Sequence, residues 1–149
     1  MPTASRKKLA QQMELFSYSC RAAGLKITHQ RTLIYRELLQ QPDHPTAEAL
    51  HKRIVREVPS ISLDTVYRTL ATLEQHRLVS RIQTAESQAR FEAVITPHQH
   101  LICSCCKRVL DIEWPEFDQI ELPENVRNWG NITSKNAVMY GTCTACSRT

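Results

Sequence analysis

The feature that most constrains this chain is its cysteine spacing. Cys103 and Cys106 form one Cys-x-x-Cys pair, and Cys143 and Cys146 form another near the C-terminal end. Four thiolates in two such pairs can surround one zinc ion tetrahedrally and close its coordination shell. Immediately ahead of the first pair stand His98 and His100, in a block that runs His98-Gln99-His100-Leu101-Ile102-Cys103-Ser104-Cys105-Cys106. A closed four-thiolate shell has no room for these imidazoles, so they are available for a different ion. Cys105 lies inside the first pair; strand alternation turns it away from the zinc, although mixed ligation stays open.

Size and charge narrow the class further. At 149 residues the chain makes one ordinary domain or two small ones. Small units need staples, and a structural zinc is one. No apolar run approaches the ~18 residues of a membrane span, and residues 1–10 lack the apolar stretch of a signal peptide. The expectation is a cytosolic protein away from membranes, where reducing conditions favour thiolate–metal bonds over disulfides. Residues 1–90 carry 14 Lys and Arg against 8 Asp and Glu, whereas residues 91–149 carry 5 against 7. The division therefore sets a basic module at 1–90, suited to a polyanion, beside an acidic, cysteine-bearing module at 91–149.

The basic module reads as helices followed by a hairpin. Leu9, Met13, Phe16 and Cys20 recur at helical spacing between Arg6 and Ala23, with Gly24 as the stop. Thr28 caps a second helix with Leu33, Ile34 and Leu38 inward and Pro42 at its end. Thr46 caps a third, with Ala47, Leu50, Ile54 and Val55 as its buried stripe. Ser62 caps a fourth, where Val66, Leu70 and Leu73 face inward and Thr65, Arg68, Thr69 and Thr72 form a polar face with Tyr67 at its edge. Residues 78–82 and 90–94 then alternate as two strands. Helices followed by a β-hairpin make a winged helix-turn-helix, and the fourth helix, with its hydroxyls and guanidinium, is the one suited to the major groove.

The second module reads as a small α/β unit. Leu101-Ile102, residues 109–112 and residues 137–140 are β-type runs, and the helical character of residues 116–129 is broken by Pro115 and Pro123. The fold class is therefore α+β: an N-terminal winged helix-turn-helix domain, a hinge near residues 84–96, and a small C-terminal α/β domain with a structural zinc. A zinc enzyme is the competing class, but the four-cysteine shell leaves no open position for substrate, and only three glycines occur, none in a phosphate loop. His29, His51 and His76 read as ordinary surface or capping residues and Cys20 as helix core. Taken singly, His44 reads equally as a loop residue and Asp111 as an exposed strand carboxylate.

Several blocks together resemble the ferric uptake regulator (Fur) family. They are Gly24-Leu25-Lys26-Ile27-Thr28-x-x-Arg31, His44-Pro45-Thr46-Ala47, Ile61-Ser62-x-x-Thr65-Val66-Tyr67-Arg68-x-Leu70, Arg90-Phe91-Glu92, the His98–Cys106 block, and Tyr140-Gly141-x-Cys143-x-x-Cys146. The resemblance implies a metal-dependent repressor that is a homodimer on a palindromic double-stranded DNA operator. It implies a structural zinc on Cys103, Cys106, Cys143 and Cys146, and a regulatory Fe2+ or Mn2+ on His44, Glu92, His98, His100 and Asp111. Three imidazoles and two carboxylates make a mixed nitrogen and oxygen shell that suits those ions.

By the same resemblance, Lys26, Arg31, Thr65, Tyr67 and Arg68 contact DNA. Asp at position 111 is typical of the family's peroxide-sensing branch, where iron-sensing members typically have Glu. That implies a sensor in which iron-catalysed oxidation of His44 or His98 releases the operator. Glu92 departs from that branch, which often has Asp there, and keeps a metal-uptake repressor as the alternative. Ser134 and Lys135 stand where many members offer a further histidine.

Overall fold

A computed structural model describes residues 3–41, 43–83, 88–93 and 98–148. Pro42, Val94 and the hinge positions 84–87 and 94–96 lie outside the described residues. The chain divides into two compact units, Met1–Ile95 and Thr96–Thr149.

The first unit is four helices and a hairpin: α1 (Thr3–Ala22), α2 (His29–Gln40), α3 (Ala47–Ile54), α4 (Leu63–Gln75), β1 (Val79–Ile82) and β2 (Arg90–Ala93). Helix α1 stops at Gly24, whose left-handed backbone (φ 69) lets the Leu25 amide reach back to the Cys20 carbonyl at 2.8 Å. Three side-chain oxygens start the next helices: Thr28 accepts from the Arg31 amide, Thr46 from Ala49, and Ser62 from Thr65, all at 3.0 to 3.1 Å. Each takes up one amide that the first helical turn leaves without a partner. Phe16, Leu33, Ile34, Leu50, Ile54, Val66, Leu70 and Leu73 fill the core, and Phe91 of β2 reaches into it from the hairpin. Strand β2 pairs antiparallel with β1, Ser80 opposite Glu92, which holds residues 90–93 in the first unit rather than the second.

One expectation for α4 needs correction. Thr69 is not on the polar face but buried, at 6% exposure. At 100° per residue it lies 60° from Val66 and 40° beyond Leu73, on the margin of the arc of Val66, Leu70 and Leu73 and close enough to share its burial. The solvent face is narrower than a count of polar residues suggests.

The second unit is built on β3 (Gln99–Cys103), β4 (Val109–Ile112) and β5 (Val138–Gly141), in the order β4-β3-β5, with short helices α5 (Pro115–Asp118), α6 (Glu124–Trp129) and α7 (Thr144–Ser147). Strands β3 and β4 are antiparallel, and β3 and β5 parallel. Its apolar core is thin. Among its described residues only Ile102, Cys103 and Val109 are buried hydrophobics, while Leu101, Leu110, Met139 and Tyr140 are exposed. Lys135 is used within this unit: its Nζ donates to the Ile120 carbonyl at 2.9 Å and lies 5.2 Å from the Phe117 ring centroid.

Candidate metal centres and nucleic-acid face

Sheet register explains why the two cysteine pairs meet. Parallel pairing sets Cys103 opposite Gly141, and the Ser104 amide donates to the Gly141 carbonyl at 2.8 Å. Cys143 therefore follows two residues beyond the strand end. The first pair curls through a tight turn in which the Lys107 amide donates to the Cys103 carbonyl at 2.9 Å and Lys107 is left-handed (φ 65). The second curls into α7, the Ser147 amide donating to the Cys143 carbonyl at 2.9 Å.

The four sulfurs all lie within 4.8 Å of one another, and Cys106 Sγ is 3.9 Å from Cys143 Sγ. A tetrahedron with ~2.3 Å metal–sulfur bonds has edges of about 3.8 Å, so the cage fits a zinc ion. The Cys143 amide donates to Cys103 Sγ at 3.3 Å. That bond, with others from the Cys106 and Cys105 amides, pulls the Cys103 thiol down to about 6. Cys146 is pushed up, first by its hydrogen bond with the Cys143 side chain. Without a cation the cluster thus shares its protons unevenly, whereas a divalent ion stabilises all four as thiolates. Cys105 is exposed and sits in the turn rather than on β3, so strand alternation does not govern its direction.

The other predicted ligands form two groups, one in each unit. In the first unit His44 Nε2 lies 3.0 Å from Glu92 Oε2, and both side chains are nearly buried. His44 has a left-handed backbone (φ 53), a conformation that costs an L-residue roughly 1–2 kcal/mol. In the second unit β3 carries His98 just before its start and His100 two residues on, which gives both the same face. Register sets Asp111 of β4 directly opposite His100. Asp111 Oδ1 is 3.4 Å from His100 Nε2 and 3.6 Å from His98 Nε2, and the two rings meet edge to face at 4.8 Å. Each group is a set of imidazole nitrogen and carboxylate oxygen, a donor type for iron(II), manganese(II) or zinc(II) rather than for softer ions.

On α4, Arg68 is exposed and pairs with Asp64 at 2.9 Å, and Tyr67 is 43% exposed. Thr65 is partly tied down, its hydroxyl 2.8 Å from Ser62 Oγ. Arg31 donates to the Lys26 carbonyl at 2.6 Å, linking two of the predicted DNA contacts across the start of α2. Periodicity and spacing missed Arg53, Asp43 and the structural use of Arg90, all of which bear on the His44 loop. Only Arg90 left a trace in the sequence, as part of the Arg90-Phe91-Glu92 block.

Residues 22–140 match the model of the ferric uptake regulator family. The chain is 30% identical over 145 residues to a peroxide-responsive repressor PerR of Staphylococcus epidermidis, covering 97% of this chain and 96% of that one. Its fold is similar to that of the Helicobacter pylori ferric uptake regulator Fur, with a TM-score of 0.72 and 26% identity over 95% of each chain. It is also similar to the Campylobacter jejuni peroxide stress regulator, with a TM-score of 0.66 and 25% identity over 91% of this chain and 98% of that one. The four-cysteine cage in the C-terminal unit and the helical N-terminal unit agree with that assignment: the chain belongs to the ferric uptake regulator family, whose members are metal-dependent, non-enzymatic transcriptional repressors that bind operator DNA as dimers.

Proposed function

We propose that this repressor responds to hydrogen peroxide through one regulatory ion held by His44, Glu92, His98, His100 and Asp111. The observation that carries the reading is Asp111, whose carboxylate faces both His98 and His100 in the position where the peroxide-sensing branch has Asp. The likeness to a peroxide-responsive repressor over nearly the whole chain supports it.

His44 and Glu92 come from the first unit, and His98, His100 and Asp111 from the second. Sharing one ion couples the two, and the coupling favours whichever arrangement of the DNA-binding units the ion binds more tightly. In that arrangement the α4 helices of a dimer enter successive major grooves of a palindromic operator. Tyr67, Arg68 and Thr65 face the bases and nearby phosphates, Arg31 the backbone, and Lys26 the adjacent minor groove. Ferrous iron, when bound, supplies the one-electron chemistry that makes hydrogen peroxide an oxidant for a neighbouring imidazole. His44 or His98 is the side chain that would gain the oxygen: one oxygen of the peroxide replaces the hydrogen on an imidazole carbon, and the other leaves as water. An oxidised imidazole is a poorer ligand, so the ion and then the operator are released.

The test is a peptide mass map of the iron-loaded and manganese-loaded protein, before and after mild peroxide, alongside operator affinity. One added oxygen at His44 or His98, in the iron form only and with loss of DNA binding, is the expected result. Loss of binding without histidine oxidation refutes it. A second reading, a repressor that reports metal supply, is favoured by Glu92 in place of Asp and by the likeness to the Helicobacter pylori protein. On that reading operator affinity follows metal concentration and ignores peroxide.

A further inference from the structure

His44 lies between α2 and α3, outside any helix or strand, and its left-handed backbone is not one that a non-glycine residue adopts without support. The support comes from β2. Arg90 Nη1 donates to the His44 carbonyl at 3.1 Å, and the Phe91 amide donates to the Pro45 carbonyl at 2.9 Å. Thr46 forms an isolated antiparallel bridge with Arg90 before capping α3. On the other side of the loop, Arg53 grips the Asp43 carboxylate with Nη2 at 2.6 Å and Nη1 at 3.4 Å. The loop is thus held on both sides of His44, by its backbone toward β2 and by the Asp43 side chain toward α3.

The decisive relation lies in the spacing along β2. Arg90 and Glu92 are two residues apart on one strand, so both side chains leave the same face. One of them holds the carbonyl of His44 and the other meets its Nε2 at 3.0 Å. The strand therefore grips His44 at its backbone and at its ring. We propose that Arg90 is a positioning residue for the regulatory ion: it fixes the His44 loop before metal arrives, so that the imidazole is already aimed beside Glu92. This rests on the reading of His44 as a metal ligand.

A ligand on a loose loop must be ordered when metal binds, and a ligand already held avoids that cost. The contact is to a carbonyl rather than to the ring, so Arg90 alters how firmly His44 is presented and leaves the donor atom's chemistry alone. Its loss weakens all ions at the site by a similar factor and leaves their order of preference intact. Partners of this supporting kind are commonly worth ~10–100-fold in metal affinity. Lysine, a point charge without the planar fork, restores part of the effect at most.

The experiment titrates Mn2+ and Co2+ into the full-length, structurally zinc-loaded protein, following free Mn2+ by electron paramagnetic resonance and Co2+ by absorbance. It uses the parent, Arg90→Met, Arg90→Lys, His44→Ala and the Arg90→Met/His44→Ala pair, each with the thermal midpoint of its form without added Mn2+ or Co2+. Arg90→Met is expected to weaken both ions by ~10–100-fold with their affinity ratio unchanged and a single cooperative thermal transition retained, and Arg90→Lys to fall between it and the parent. The double variant should bind no more weakly than His44→Ala, within about twofold, because Arg90 acts only through His44. Parent-like affinity in Arg90→Met, or losses that add in the double variant, overturns the proposal. Parent-like affinity in His44→Ala instead overturns the ligand assignment beneath it. Should Arg90→Met fail to fold, Arg90→Lys and its pair with His44→Ala carry the same comparison.

Discussion

Replacing Cys143 with serine should unfold the second unit while leaving the first intact. Among the described residues of the second unit Ile102 and Val109 are the buried apolar side chains outside the cysteine cage, and at roughly 1.5–3 kcal/mol each they supply about 3–6 kcal/mol. A structural zinc contributes ~10–16 kcal/mol of folding free energy at neutral pH. The ion, not the core, therefore decides whether residues 98–148 fold. Cys143 enters the cage twice, through its sulfur 3.9 Å from Cys106 Sγ and through its amide bond to Cys103 Sγ. Losing even ~4 kcal/mol of that contribution removes about 1000-fold of protection against amide exchange. The probes are the Cys103 amide bonded to the Arg108 carbonyl and the Ser104 amide bonded to Gly141. Hydrogen exchange read by mass spectrometry should show those amides exchanging freely in Cys143→Ser, while α2, α3 and α4 keep their protection. Retained protection of Cys103 and Ser104 in a variant shown to contain no zinc would refute the reasoning.

Three further outcomes follow from local geometry. Ser62→Ala removes the cap on the Thr65 amide, which costs about 1 kcal/mol and lowers the thermal midpoint of the first unit by roughly 4–8 °C; an unchanged midpoint in a calorimetric scan contradicts the cap's role. Arg31→Ala should weaken binding to operator and random DNA alike and flatten the salt slope by about one unit, whereas Tyr67→Ala should relax base preference, both measured by fluorescence anisotropy against salt. The Arg53 guanidinium holds the Asp43 carboxyl below its ordinary 3.8, and Asp43 is exposed enough for solvent to weaken the pair. Because the folded value is the lower one, this contribution is whole above about pH 4 and is lost as pH falls through the folded value; Arg53→Gln should therefore lower the urea midpoint by a constant amount above that pH and converge on the parent as pH falls, which flattens the acid limb of the profile.

The helix caps were legible because they are local. Thr28, Thr46 and Ser62 each act on an amide three residues ahead, and one window of sequence contains both partners. The zinc cage was legible for a related reason, since two Cys-x-x-Cys turns need only a sheet register to bring them together. Thr69 was misread because residue type was weighed above helical phase: a threonine on the margin of an apolar arc, 40° from Leu73, is covered along with it. The strand on which Cys105 was to alternate ends at Cys103, and ladder ends are set by where hydrogen bonding stops rather than by residue type.

The support of His44 was illegible for a deeper reason. Arg90 and His44 are 46 positions apart, and the contact is to a backbone oxygen, which every residue possesses. No residue type in the loop announces that its carbonyl will be held, and no periodicity links a loop to a strand. Donor atoms are chemically marked, so histidines and carboxylates can be picked from a string of letters. The groups that aim them are marked only by the fold, because a positive φ, a bridge and a carbonyl acceptor are properties of the path. The histidines and carboxylates could therefore be picked out before the structure, whereas the conformation of the His44 loop could be read only from β2 outward, through Arg90 and Glu92 on one face of one strand.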